Sequence, residues 1–133
     1  MKSIKSFICT GLIFILILCP CGCGNNEPVQ ATLSVCETQW SESGASTDDP
    51  IVYTPLKRGD VIYDSHETKI AVKKVTENRI VLEIDGYMIE PNEDGSVNLD
   101  ADPVKIIELT KGQSIELDSQ TMSAGFDLLI SYE

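Results

Sequence analysis

The stretch Arg79-Ile80-Val81-Leu82-Glu83-Ile84-Asp85 places Ile80, Leu82 and Ile84 on one side of an extended chain and Arg79, Glu83 and Asp85 on the other. A period of two is what a half-buried β-strand imposes. It recurs near the C-terminus, where Phe126, Leu128, Ile130 and Tyr132 alternate with Asp127 and Ser131, and only Leu129 breaks the polarity of the second face. No segment keeps apolar residues at helical spacing over three turns, and no repeat of solenoid length is present. The alternating runs predict strands at 31–36, 51–54, 60–64, 69–76, 79–85, 87–90, 104–110, 113–118 and 126–132. Without a helix to cover them, such strands need two sheets packed together or one rolled closed. The expected fold is all-β, an antiparallel β-sandwich of about eight or nine short strands, with a small barrel as second choice.

Turn residues set the expected boundaries. Glu77-Asn78, Asp85-Gly86 and Lys111-Gly112 each separate two runs by a span short enough for an antiparallel hairpin. In Lys69-Ile70-Ala71-Val72-Lys73-Lys74-Val75 the apolar phase shifts between Val72 and Val75, and a β-bulge at Lys73 or Lys74 restores it. Ser41-Glu42-Ser43-Gly44-Ala45-Ser46-Thr47-Asp48-Asp49-Pro50 is rich in breakers and predicts a loop, so the folded core is expected to begin in earnest near Ile51.

The N-terminus has a different character. Two lysines, Lys2 and Lys5, precede an uncharged run from Phe7 to Leu18, the pattern of a positive n-region and an apolar h-region. As a helix that run would extend about 18 Å, short of the roughly 30 Å hydrocarbon core of a bilayer. It ends at Cys19-Pro20-Cys21-Gly22-Cys23-Gly24-Asn25-Asn26. Here the chain resembles the lipobox of bacterial lipoprotein precursors, a Leu-x-Gly-Cys type of signal. The resemblance covers only the first two dozen residues. It implies cleavage before Cys23 and attachment of diacylglycerol to its thiol, since Gly22 supplies the small residue needed just before the cut, although Pro20 stands where the family prefers a branched apolar residue. Cys19, preceded by bulky Leu18, and Cys21, preceded by rigid Pro20, compete for the same role less well. Reading the three cysteines as a thiolate metal site lacks a fourth ligand nearby. The resulting organisation is a signal peptide at 1–22, a lipidated cysteine and flexible tether at 23–30, and a β-sandwich domain at 31–133.

The formal net charge is −11, and it becomes more negative once Lys2 and Lys5 are removed. A field of that sign opposes nucleic acid and anionic lipid headgroups alike, so no nucleic-acid partner is expected. The expected membrane partner is reached through the lipid, whose two chains supply the firm anchoring that one alone does not. The expected location is the outer face of the cytoplasmic membrane. If Cys23 becomes a thioether, Cys36 has no partner for a disulfide and is expected to be a small half-buried filler.

Chemistry-bearing motifs are sparse. His66, between Ser65 and Glu67, is expected in a solvated loop; adjacent residues of this kind do not make a hydrolase triad, and pairing with Cys36 is the one route to a nucleophile. Glu90-Pro91-Asn92-Glu93-Asp94-Gly95-Ser96-Val97-Asn98-Leu99-Asp100-Ala101-Asp102 sets Asn92, Asp94, Gly95, Val97 and Asn98 at the third, fifth, sixth, eighth and ninth positions of a calcium loop, yet begins with Glu90 and ends without the closing carboxylate, at Ala101. An acidic hairpin loop turning at Asp94-Gly95 is the plainer expectation. Trp40, Tyr53, Tyr63, Tyr87 and Tyr132 suit core or sheet-face packing, or less simply a ligand face. With no catalytic set, cofactor loop or zinc spacing in view, the chain is expected to be a non-enzymatic protein- or peptide-binding module. The alternative is a small-ligand or cation receptor using the 90–102 loop. A hydrolase would have only His66 to lean on.

Overall fold

The computed structural model of the chain describes residues 27–133. The signal peptide expected at 1–22, with Cys19 and Cys21, and the expected lipid site Cys23 lie outside the described residues.

The fold is an antiparallel β-sandwich. Strand β1 (Leu33–Ser41) pairs on one side with β10 (Ala124–Tyr132), and on the other with two short strands in turn, β3 (Ile51–Tyr53) along Leu33–Val35 and β2 (Gly44–Thr47) along Thr38–Ser41. Beyond β10 lie β9 (Ser114–Ser119) and β7 (Met88–Ile89), which completes this six-stranded sheet. The second sheet runs in the order β4 (Val61–Ser65), β5 (Thr68–Val75), β6 (Arg79–Asp85), β8 (Ile106–Thr110). The inward stripes meet in one core. Leu33, Val35, Leu117, Phe126, Leu128, Ile130 and Tyr132 come from one sheet, and Ile62, Ile70, Val72, Ile80, Leu82, Ile84, Ile107 and Leu109 from the other. Burying each large apolar side chain is worth about 1.5–3 kcal/mol.

The bulge falls where the phase shift puts it. Val72 faces Leu82 while Lys74 faces Val81, so Lys73 is the extra residue. The turn at Glu77-Asn78 is a hairpin, closed by Thr76 N–H to Arg79 O at 2.8 Å. The other two expected hairpins are corrected. At Gly86 the chain leaves β6 for β7, and at Lys111-Gly112 it leaves β8 for β9, so each carries it from one sheet to the other. Turn chemistry marks a bend without saying which sheet the next strand joins. The loop expected at 41–50 is likewise corrected: it contains the end of β1 and all of β2, whose four residues are exposed and pair through the backbone, with one side-chain bond between the hydroxyls of Thr38 and Thr47 at 2.9 Å. The core begins well before Ile51, because β1 lies between β10 and the β2/β3 lane, with Leu33 and Val35 buried. Ordered pairing starts at Val29, whose N–H and C=O bond to Leu56 at 2.6 and 3.0 Å.

The two ends of the sandwich differ. The chain enters beside Leu33 and Tyr132, where Glu133 N–H bonds to Thr32 O at 2.8 Å. At the opposite end sit the β1–β2 turn, the β4–β5 turn, Gly86 beside Thr68, and the β9–β10 turn. The nine residues of β1 separate these ends, a distance of about 27 Å.

Candidate functional site

The end remote from chain entry gathers the polar and aromatic groups that the core does not use. Two constellations are built there, one between the sheets and one on the outer face of the six-stranded sheet.

Between the sheets, Glu37 occupies the inward phase of β1 after Leu33 and Val35 and closes this end of the core. Its carboxylate accepts a hydrogen bond from Tyr63 Oη at 2.9 Å and one from Gln39 Nε2 at 3.0 Å, and lies 3.0 Å from His66 Nε2. Burial pushes the Glu37 carboxyl up, but the hydrogen bonds from Gln39, Tyr63 and His66 outweigh it and hold the group below its ordinary value. Tyr63 is pushed up by burial and by the neighbouring carboxylate. His66 stacks on Phe126, with ring centroids 4.6 Å apart. The expected solvated histidine is therefore exposed but held on both sides. Cys36 is not brought to it: the thiol lies on the opposite face of β1 from Glu37, half-buried, and donates to Asp48 O at 3.3 Å.

On the outer face, the cross-strand register aligns Thr38 of β1, Asp127 of β10, Asp118 of β9 and Ile89 of β7 in one row. Ile89 is fully buried yet stands outside the inter-sheet core, and Asp118 is only 3% exposed. The stretch between β7 and β8 covers them. Gln120 Nε2 pins it to the β9–β10 turn by donating to Leu99 O and Ala101 O at 2.8 and 3.2 Å. Asp118 sits directly opposite Asp127, a like-charge pairing that destabilises a sheet unless something compensates. Burial, the charge and hydrogen bond of Asp127, and the charge of Glu116 push the Asp118 carboxyl up to about 7. Trp40 Nε1 donates to Asp127 Oδ1 at 3.0 Å. The indole can approach because its register partner is Gly125, where a Cβ would collide with Ser119 Oγ, Thr121 Oγ1 and the indole ring. A cleft of about 460 Å³ opens here, lined by Trp40, Val97, Leu99, Met122, Asp118 and Asp127 among others.

The 90–102 loop turns at Asp94-Gly95, with Gly95 at φ +83° and its N–H on Asn92 O at 2.8 Å. The Asp94 carboxylate is engaged locally, accepting from Ser96 Oγ at 2.6 Å and Ser96 N–H at 3.0 Å, bonds that hold it below its ordinary value. Its acids do not converge. Among the described residues, the carboxylates that do are Glu116, Asp118 and Asp127, with one oxygen from each within 4.8 Å of the others. The Glu-Leu-Asp spacing on β9 puts Glu116 and Asp118 on one face, but finding Asp127 requires knowing that β9 pairs with β10 in this register. Of the aromatics, Tyr132 is buried, Tyr53 and Tyr63 pack half-buried against the core, and Tyr87 is 70% exposed at this same end. Compared with protein-family models, curated proteins and solved structures, the chain matches none of them.

Proposed function

We propose that this chain is an exported lipoprotein whose sandwich domain is a non-enzymatic binding module. Its lipid on Cys23 holds it to the outer face of the cytoplasmic membrane, and the end remote from the tether meets a protein or peptide partner. One observation carries the reading. The chain enters at Val29 at one end, while exposed Tyr87, Leu99 and Met122, the Trp40 cleft and the loops around it crowd the other. Apolar side chains exposed together and rimmed by polar groups are a mark of contact surfaces. A tether at the opposite end leaves that surface free. The strongly negative charge favours a partner with a basic patch, whose approach it accelerates.

The anchor and the binding end are tested separately. Cys23→Ser abolishes fatty-acid labelling and releases the protein from membranes; labelling that persists moves the lipid to Cys19 or Cys21. A photo-crosslinking side chain at Met122 yields discrete adducts in the producing cells, whereas one at Lys111, at the tether end, does not. Adducts from Lys111 alone overturn the assignment of the binding end.

A further inference from the structure

We propose that Glu116, Asp118 and Asp127 form a calcium site on the outer face of the six-stranded sheet, at the floor of the Trp40 cleft. This goes beyond the partner-binding reading and does not depend on it.

The oxygens have the required spacing. Two oxygens that share a calcium ion at about 2.4 Å lie no more than about 4.8 Å apart, and one oxygen from each of the three carboxylates falls within 4.8 Å of the others. Asp118 supplies the second observation. The residue is only 3% exposed, it lines the cleft beside Asp127, and its buried Oδ1 has no hydrogen-bond partner. A buried carboxylate oxygen left unpaired costs free energy that a ligand restores. Among the described residues no basic side chain forms an ion pair with Asp118. The ion pairs among the described residues are His66–Glu37 and Arg79–Glu108, both elsewhere. Trp40 gives Asp127 one neutral N–H, which does not balance three acidic groups.

The donor set selects the ion. Three carboxylates with no imidazole or thiolate suit a hard cation rather than zinc or copper. Calcium tolerates irregular geometry and completes its shell with water, here from the open cleft, whereas magnesium demands a near-ideal octahedron. Bound there, the ion would tie β9 to β10 beneath the 94–99 stretch and fix the wall that Trp40 shares. Cation binding thereby shapes the cleft.

Trp40 is the sole tryptophan of the chain and bonds directly to one ligand, so it reports on the site. The full chain in nonionic detergent, stripped with chelator at pH 7.5, is titrated with terbium and then with calcium. Expected are terbium emission sensitised through Trp40, its displacement by calcium, and a rise in Tm of several degrees with calcium beyond that given by sodium chloride at equal ionic strength. Asp118→Asn abolishes emission and the calcium-specific rise, while its Tm in chelator equals or exceeds that of the parent because a repelling charge is gone. Glu116→Gln, at an exposed position, keeps the buried pair and weakens calcium competition about tenfold. Asp94→Asn leaves both signals intact. An equal rise from sodium chloride, or signals that survive Asp118→Asn, overturns the proposal. So does loss of the signals in Asp94→Asn, which moves the site to the loop. Absence of terbium emission also overturns it, leaving a proton shared by Asp118 and Asp127 as the occupant.

Discussion

Glu37 ties the two sheets together at the end where the apolar stripes run out. A carboxylate placed on the inward phase of β1 would be a liability if unpaired, but here three donors from β1, β4 and the following turn surround it. Because its folded pKa lies below the ordinary 4.5, its contribution is fully present above about pH 4.5 and is lost as the pH falls through the lower folded value. Glu37→Gln is expected to cost about 1–3 kcal/mol at pH 7. In urea unfolding the gap between parent and variant narrows at pH 3; an unchanged gap would mean the charge is not what matters. The residue was hidden in the sequence because polarity at an inward phase looks like the end of a strand, and the bonding partners lie 26 and 29 positions away. His66 falls in the exposed turn where the sequence puts it, but its two partners were hidden. It and Glu67 take φ values of +50° and +59° in a two-residue hairpin turn, a conformation usually signalled by Asn-Gly. Here the stack on Phe126 and the bond to Glu37 hold a residue pair that local preference would not choose.

The elements legible in advance were those whose pattern faces a core. β6 from Ile80 and β10 from Phe126 keep an apolar residue at every inward position, and the bulge in β5 follows from counting, since Val72 and Val75 both face inward only if Lys73 is extra. Deleting Lys73 is therefore expected to be tolerated, with a loss of about 1 kcal/mol or less. Deleting Val81 from the facing strand flips every later side chain of β6 to the other face and abolishes cooperative unfolding. Thermal melts of the two deletions check this, and similar losses from both would refute it. Strands that bury nothing were illegible: β2 is Gly-Ala-Ser-Thr, held by backbone bonds to the Trp40 end of β1. The carboxylate site was illegible for a related reason. Its members sit on two strands whose adjacency is a matter of topology, and the strongest local acidic pattern lay instead in the loop above them.

At the scale of the whole molecule, the net charge of −11 acts against compactness. Stability is expected to climb with sodium chloride between about 0.01 and 0.3 M as the Debye length shortens from roughly 30 Å to below 8 Å; a flat or falling dependence in denaturant titrations would show that the acids are balanced locally. The sandwich itself was legible because the count of short strands and the lack of helices leave few solutions. Which strand joins which sheet was not, since Gly86 and Lys111-Gly112 look like ordinary hairpin turns. The outer lanes of the two sheets carry one further consequence. β2 and β3 share a lane but are interrupted at Asp48–Pro50, β7 has two residues and leaves Ser114–Leu117 of β9 uncovered on that side, β4 has five with an irregular register, and β8 has five. None gives a neighbouring molecule a long, flat template on which to add a strand. Under the proposed lipid anchor, copies would be confined to a surface and would meet far more often than in bulk solution, and these broken margins would let them crowd side by side without zipping into a shared sheet.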